Sequence, residues 1–312
     1  MLKTNQGLSS SIKLISLDKY LIEMIKLYES SSLPKVFLLN GSKGIGKFTL
    51  VFHFLNYIFS KNEQDSYNIK DKIINTNSNF YKSILKLNCS DVIFLQAEEG
   101  KNIKIDNIRD LKDILSRSTL SSNSRFIIID EVEFLNSNSA NALLKTLEEP
   151  TENNYFILIN NQQADLIPTI ASRCIKNNIF LNTSEKQAIK RYLFEKKKIS
   201  FLIDDENLTP GLLLKYNELF IEHDIDINDN ISLKLNKILN AYKKNKNKTL
   251  ISMSLFLIDQ FFFKLVKDNT NEVDALLDLK LIVCNKINDF ITYNLNINSV
   301  LATIDLKLKN AK

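Results

Sequence analysis

The residues best suited to chemistry begin at Gly41, where GSKGIGK sets three of the chain's six glycines ahead of Lys47. Gly41, Gly44 and Gly46 let successive backbone N–H groups converge on phosphate oxygens. A helix start behind them adds its positive end, and Lys47 neutralises β- and γ-phosphate charge. A glycine turn closing a purely structural strand-to-helix connection is the competing reading. After the lysine of such a loop a hydroxyl normally holds magnesium, but Phe48 stands there, with Thr49 one place on. About 100° of helix rotation per residue turns Thr49 away from a metal at that point, so the loop leaves nucleotide binding open and argues against hydrolysis. Downstream, RFIIIDE brings Asp130 to the end of an apolar strand, within reach of magnesium, and Glu131 to where it could polarise a water. An acidic pair ending a strand in a loop is the alternative, weakened by the phosphate loop upstream.

These groups need elements to position them. KVFLLN (35–40) reads as a buried strand and FTLVFHFLNYIF (48–59) as an apolar helix, so the glycines punctuate a strand-to-helix turn. Phe80, Tyr81, Ile84 and Leu85 have helical spacing, and SDVIFLQA (90–97) offers a short strand. IKIDNIRDLKDILSRS (103–118) repeats Ile105, Ile108, Leu111 and Leu115, an amphipathic helix capped near Asp106. RFIIIDE is a third strand; a helix with Ala140, Leu143, Leu144 and Leu147 on one face stops at Pro150; NYFILINN (154–161) is a fourth strand. Strands alternating with helices predict a parallel α/β sheet, whose ligands sit at the carboxyl ends of strands.

Strand signals fade after residue 182, which divides the chain into an α/β P-loop domain (1–182), a small helical domain (183–228) and an all-α domain (229–312). Pro210-Gly211 is the strong turn of the second. The third holds ISLKLNKILNAYKK, LISMSLFLIDQFFFKLVKD and VDALLDLKLIVCNKINDFITYNL as long helices, with AYKKNKNK (241–248) read as a solvated loop between helices rather than a basic patch.

Composition narrows the setting. With 312 residues and a net charge of +5, the chain permits contact with nucleic acid or an acidic partner without requiring it. Three cysteines and two histidines lie too far apart for a disulfide framework or a short-range zinc site. SLFLIDQFFFKLV is interrupted by Asp259 and Lys264, and MLKTNQGLSSSIKL lacks the apolar centre of a signal peptide. A cytoplasmic protein without a membrane span is expected.

The block from Arg125 to Cys174, RFIIIDEVEFLNSNSANALLKTLEEPTENNYFILINNQQADLIPTIASRC, resembles the clamp-loader branch of the AAA+ ATPases, to which the bacterial DNA polymerase III clamp loader belongs. The likeness covers about residues 10–215. It implies a RecA-like P-loop domain, a helical lid and a helical collar. It also implies a heteropentamer with gamma/tau-like ATPase subunits and a delta-like subunit, working on a sliding clamp and primer-template DNA. In that family the Arg of Ser-Arg-Cys reaches the γ-phosphate bound by the neighbouring subunit, which is Arg173 in this sequence; an ordinary surface ion pair is the alternative. The resemblance makes Gly41, Gly44, Gly46, Lys47, Thr49, Asp130, Glu131 and Asn160 a degenerate site for ATP or ADP with magnesium. Asn160 and Asn161 both end the fourth strand, where the family has a polar residue sensing the γ-phosphate, and the sequence does not choose between them.

Departures from the family pattern matter most. Leu212 stands where the lid usually offers a nucleotide-contacting arginine, and only Cys89 falls where many relatives carry a four-cysteine zinc module, so no zinc is expected. Cys174 reads as a packing residue. The sequence therefore points to a stator that donates Arg173 to an adjacent ATPase subunit, with an active ATPase subunit of the same assembly as the alternative.

Overall fold

In a computed structural model the described residues are 12–86, 88–96, 102–116, 124–197, 208–268 and 273–309. The reading of residues 1–11, and the parts of expected elements that fall on 97, 117–118, 198–207, 269–272 and 310–312, lie outside them. The described residues form two compact units, one ending at Leu213 and the other beginning at Leu214.

In the first unit, helix α1 (Asp18–Glu29) precedes strand β1 (Val36–Asn40) and helix α2 (Lys47–Ser60); α3 (Asn79–Leu85), β2 (Val92–Gln96) and α4 (Ile105–Ser116) follow. Strand β3 (Arg125–Asp130), a 3-10 turn at Val132–Phe134, α5 (Ser137–Glu148), β4 (Asn154–Asn160), α6 (Pro168–Ala171), β5 (Ile175–Asn178) and α7 (Thr183–Lys197) complete the order. The five strands lie in the order β2-β3-β4-β1-β5, all parallel. The expected parallel α/β fold is therefore the fold observed.

Side chains alternate across the sheet, so each strand feeds two cores. Phe37 and Leu39 of β1 join Ile128, Ile157 and Ile159 beneath α1 and α2, where Leu21, Met24, Leu50, Val51 and Phe54 are buried. Val36 and Leu38 join Ile127, Ile129, Phe156 and Leu158 on the opposite face, against Ile108 and Leu111 of α4 and Leu143 and Leu147 of α5. Covering on both faces explains why the inner strands read as near-continuous apolar runs.

Several local expectations are corrected. Helix α4 begins at Ile105, so Asp106 sits in its first turn rather than capping it, and the Asn107 side chain instead accepts the Lys104 N–H at 3.2 Å. Strand β5 has no apolar signature because it is the outer strand, paired only to β1 by its polar IKNN backbone and largely exposed. Helix α1 starts after Leu17 without a side-chain cap, so the sequence carries no start signal for it.

The second unit holds most of α8 (Pro210–Glu222), whose first residues belong to the first unit, followed by α9 (Ile231–Asn245), α10 (Lys248–Asp268), α11 (Val273–Tyr293) and α12 (Ile297–Lys309). Helix α9 packs on α10 and α12, and α11 packs on the same two, closing a four-helix bundle around Leu235, Ile238, Met253, Ile258, Ile287 and Ile304. The AYKKNKNK segment is not a loop: residues 241–245 are the last turn of α9, Lys246 takes a left-handed C-cap (φ 56°), and Lys248 already opens α10. By length and composition α10 is apolar enough to cross a membrane, against the expectation drawn from Asp259 and Lys264; in this bundle Leu250, Met253, Leu257, Ile258 and Phe262 of that helix are buried.

Candidate functional site: a phosphate loop and an arginine edge

The glycine loop leaves the carboxyl end of β1 and turns into α2 with Gly44 at φ 82° and Gly46 at φ 95°, left-handed conformations that favour glycine. Lys47, first residue of α2, is buried, and its Nζ donates to Gly41 O at 2.6 Å and Ser42 O at 2.8 Å. The ammonium is thus folded into the loop that carries it. Burial pulls its pKa down to about 8, although the charges of Asp130 and Glu133 push the other way. Phe48 packs into an aromatic group, 5.6 Å from the Phe94 ring and 6.4 Å from that of Phe52, which accounts for an apolar residue where a metal-holding hydroxyl would stand. Thr49 lies one helical step further round α2.

Asp130 ends β3, buried, with Oδ1 accepting the Glu131 N–H at 3.0 Å and an Asn161 Nδ2–H at 3.2 Å. Glu131 takes a left-handed backbone (φ 59°), and its carboxylate pairs with Lys43 of the glycine loop at 3.0 Å. A non-glycine residue with that φ is strained, and the ion pair helps hold it there. Glu133, two residues on, was not singled out by its sequence context. It is buried in the 3-10 turn, accepts the Asn161 N–H at 3.0 and 3.2 Å, and burial raises its pKa.

Of the two asparagines ending β4, the one whose side chain meets Asp130 is Asn161. Asn160, the residue expected at the nucleotide, gives its Nδ2–H to Asn40 Oδ1 at 2.8 Å, and Asn40 gives its own to Asn178 Oδ1 at 2.8 Å. Successive residues at a strand end point in opposite directions, so only one of the two can face the acid. The three asparagines stand in register across β4, β1 and β5. Nothing in the sequence joins positions so far apart.

Pro210-Gly211 is not a free turn; it is the first turn of α8, and it lies on the glycine loop. Thr209 Oγ1–H donates to Lys43 O at 2.7 Å, and the Gly211 N–H donates to Gly44 O at 2.8 Å. A Cβ on Gly211 would fall 2.7 Å from Gly44 Cα, so the two backbones touch because both residues lack a side chain.

Arg173 makes its hydrogen bonds elsewhere. It follows α6, whose Ile170 is buried in the core with Leu143 and Leu147 of α5. Its Nε donates to Glu148 Oε1 at 2.8 Å, its Nη2 donates to the same oxygen, and Nη1 donates to Thr169 O at 2.8 Å. Its side chain keeps 31% of its surface exposed. Cys174 packs against the same core, and burial pushes its thiol up to about 11, leaving no thiolate nucleophile at neutral pH.

The arrangement fits a magnesium nucleotide badly. No hydroxyl follows Lys47, Lys47 is engaged by loop carbonyls, Glu131 is engaged by Lys43, and α8 covers the backbone at Lys43 and Gly44. Among the described residues no group of three or more His, Cys, Asp or Glu side chains is placed to hold a metal ion. The arginine edge is the reverse, with a guanidinium fixed on two sides and presented at the surface.

Comparison with known proteins gives the family. Residues 17–182, more than half of the chain, match the family described as DNA polymerase III, delta subunit. The chain is 27% identical to DNA polymerase III subunit delta' of Buchnera aphidicola subsp. Schizaphis graminum over 298 residues, covering 89% of this chain and 83% of that one. It is 38% identical to subunit delta' of Pseudomonas aeruginosa over 87 residues, 28% of this chain and 26% of that one. Against subunit gamma of Buchnera aphidicola subsp. Acyrthosiphon pisum it is 34% identical over 149 residues, 48% and 39% of the two chains. In the last two cases the match spans only about a quarter and two fifths of the relative. The chain belongs to the DNA polymerase III, delta subunit family, within the clamp-loader group to which its delta' and gamma relatives also belong.

Proposed function

We propose that the chain is a stator subunit of a sliding-clamp loader, supplying Arg173 to nucleotide bound by a neighbouring ATPase subunit while its own phosphate loop stays closed. The observation that carries this reading is the contrast between Lys47, buried and turned onto Gly41 O and Ser42 O, and Arg173, held at the surface by groups of its own chain. A planar guanidinium set against charge developing on transferring phosphoryl oxygens stabilises the transition state, with no need for a metal or base on the donor chain. On this reading the partners are gamma/tau-like ATPase subunits and a delta-like subunit in a heteropentamer, acting in the cytoplasm on primer-template DNA and its clamp.

The division into 1–182, 183–228 and 229–312 corresponds to the α/β, lid and collar parts. Phe263 on α10 and Leu277 and Leu281 on α11, all exposed, supply apolar surface for collar contacts between subunits. An active ATPase subunit is the second reading, favoured by the retention of Lys47, Asp130 and Glu131. Measuring ATP turnover separates the two. The stator reading expects none from the isolated chain and a loss in the reconstituted complex on Arg173→Ala. Turnover by the isolated chain that disappears in Lys47→Ala would favour the second.

A further inference from the structure

Glu148 is the last residue of α5, followed by Glu149 and Pro150. A carboxylate in the final turn of a helix faces the negative end of the helix dipole and the unpaired carbonyls there, so its position is unfavourable unless a cation compensates. That cation is Arg173. Both Nε–H and an Nη2–H reach Glu148 Oε1, while Nη1 reaches Thr169 O, so the guanidinium is gripped by α5 on one edge and α6 on another. Both anchors are rigid. Helix α5 is pinned by Leu143 and Leu147 and α6 by Ile170, all in one buried cluster, and the Arg173 N–H closes onto Ile170 O at 3.1 Å. With four hydrogen bonds made inside the chain, to Glu148, Thr169 O and, at 3.3 Å, Ser172 Oγ, the plane of the guanidinium is set and its remaining Nη2–H is left for a ligand outside it.

We infer that Glu148 is the positioning residue for the arginine given in trans: it orients the Arg173 guanidinium before the neighbour's triphosphate arrives. This rests on the stator reading. An arginine free to sample its rotamers loses part of its effect each time it must be ordered in the transition state, whereas a preset one does not. Loss of Glu148 should therefore lower kcat of the complex and leave KM for ATP unchanged.

The test uses the reconstituted loader carrying Glu148→Ala, Glu148→Gln, Arg173→Ala or the Glu148→Ala/Arg173→Ala pair, with ATP turnover and the melting curve of each variant chain recorded. Glu148→Ala is expected to lower kcat about tenfold at unchanged KM. Glu148→Gln, whose carboxamide oxygen still accepts a hydrogen bond, should recover much of it. The pair should match Arg173→Ala alone, because a residue acting through the arginine has nothing to act on once it is gone. Unchanged kcat in Glu148→Ala, alongside a fall in Arg173→Ala, overturns the inference and leaves the stator reading standing. A pair slower than Arg173→Ala by the full Glu148→Ala factor also overturns it. Unchanged turnover in Arg173→Ala sinks the stator reading itself. Since Glu148 is exposed, the melting curves should overlay; if Glu148→Ala melts early, the Gln variant, which preserves shape, carries the comparison.

Discussion

Two ends of the same sheet unit handle charge in opposite ways. At the glycine loop every strong group is spent internally: Lys47 on the carbonyls of Gly41 and Ser42, Lys43 on Glu131, and the α8 backbone on Gly44. At the α5–α6 edge Arg173 is held by its own chain but not covered. The Lys47 ammonium is buried and commits two of its three donors to loop carbonyls, whereas the Arg173 guanidinium is fixed by its own chain and keeps part of its surface exposed.

The contrast can be broken most directly at Arg173. In a reconstituted loader Arg173→Ala should reduce ATP turnover by a factor on the order of 10³, while the chain itself melts almost as before, because a partly exposed pair with Glu148 contributes only ~0–1 kcal/mol. A small kinetic effect, or a large loss of stability, would mean the arginine serves folding. Restoring a hydroxyl by Phe48→Thr should sharpen the other side. The substitution removes contacts with Phe52 and Phe94 and should destabilise the chain by about 2–3 kcal/mol, seen in urea titration, yet confer no ATP turnover because Lys43, Lys47 and α8 still close the site. Turnover appearing in that single variant would show that the missing hydroxyl alone had silenced the loop.

Gly211→Ala places a methyl against Gly44 Cα and should cost about 1–3 kcal/mol, while prising the start of α8 off the loop. Calorimetric titration with ATP should then show tighter binding than the unaltered chain; equal affinity would mean that α8 is not what closes the loop. The remaining effect concerns Lys47. Its folded pKa near 8 lies below the ordinary 10.5, so between those values the unfolded chain holds more protons and stability from this group rises with pH. Urea unfolding at about pH 7 and about pH 10 should show the unaltered chain gaining on Lys47→Met. Two parallel pH profiles would mean that Lys47 keeps its ordinary pKa and is not desolvated in the fold.

Much of the fold was legible because local pattern and global position agree. The inner strands are apolar on both faces and could be read from composition alone; β5 could not, since Ile175–Asn178 lies at the sheet edge and is placed by backbone pairing to β1 rather than by burial. Pro210-Gly211 carries the signature of a turn, yet it starts a helix, because a proline in the first helical turn gives up no hydrogen bond and the glycine beside it is needed for a close approach to Gly44. The site divided in the same way. Lys47, Asp130 and Arg173 announce themselves through contiguous motifs. Glu133 and Glu148 meet partners distant in the chain and carry no local signal, and Asn161 could be named beside Asn160 but not chosen over it.

By itself, then, the sequence picked out the glycine loop, the acidic strand end and the arginine motif of this protein and the elements in which they sit, since strand alternation, glycine conformations and motif spacing are short-range properties of the chain. The tertiary structure alone decided what each of them touches. Lys47 turned onto its own loop, Asn160 joined Asn40 while Asn161 faced Asp130, and Arg173 settled on Glu148, because hydrogen-bond partners are chosen by packing between segments far apart in the chain, and that choice is not written in any one of them.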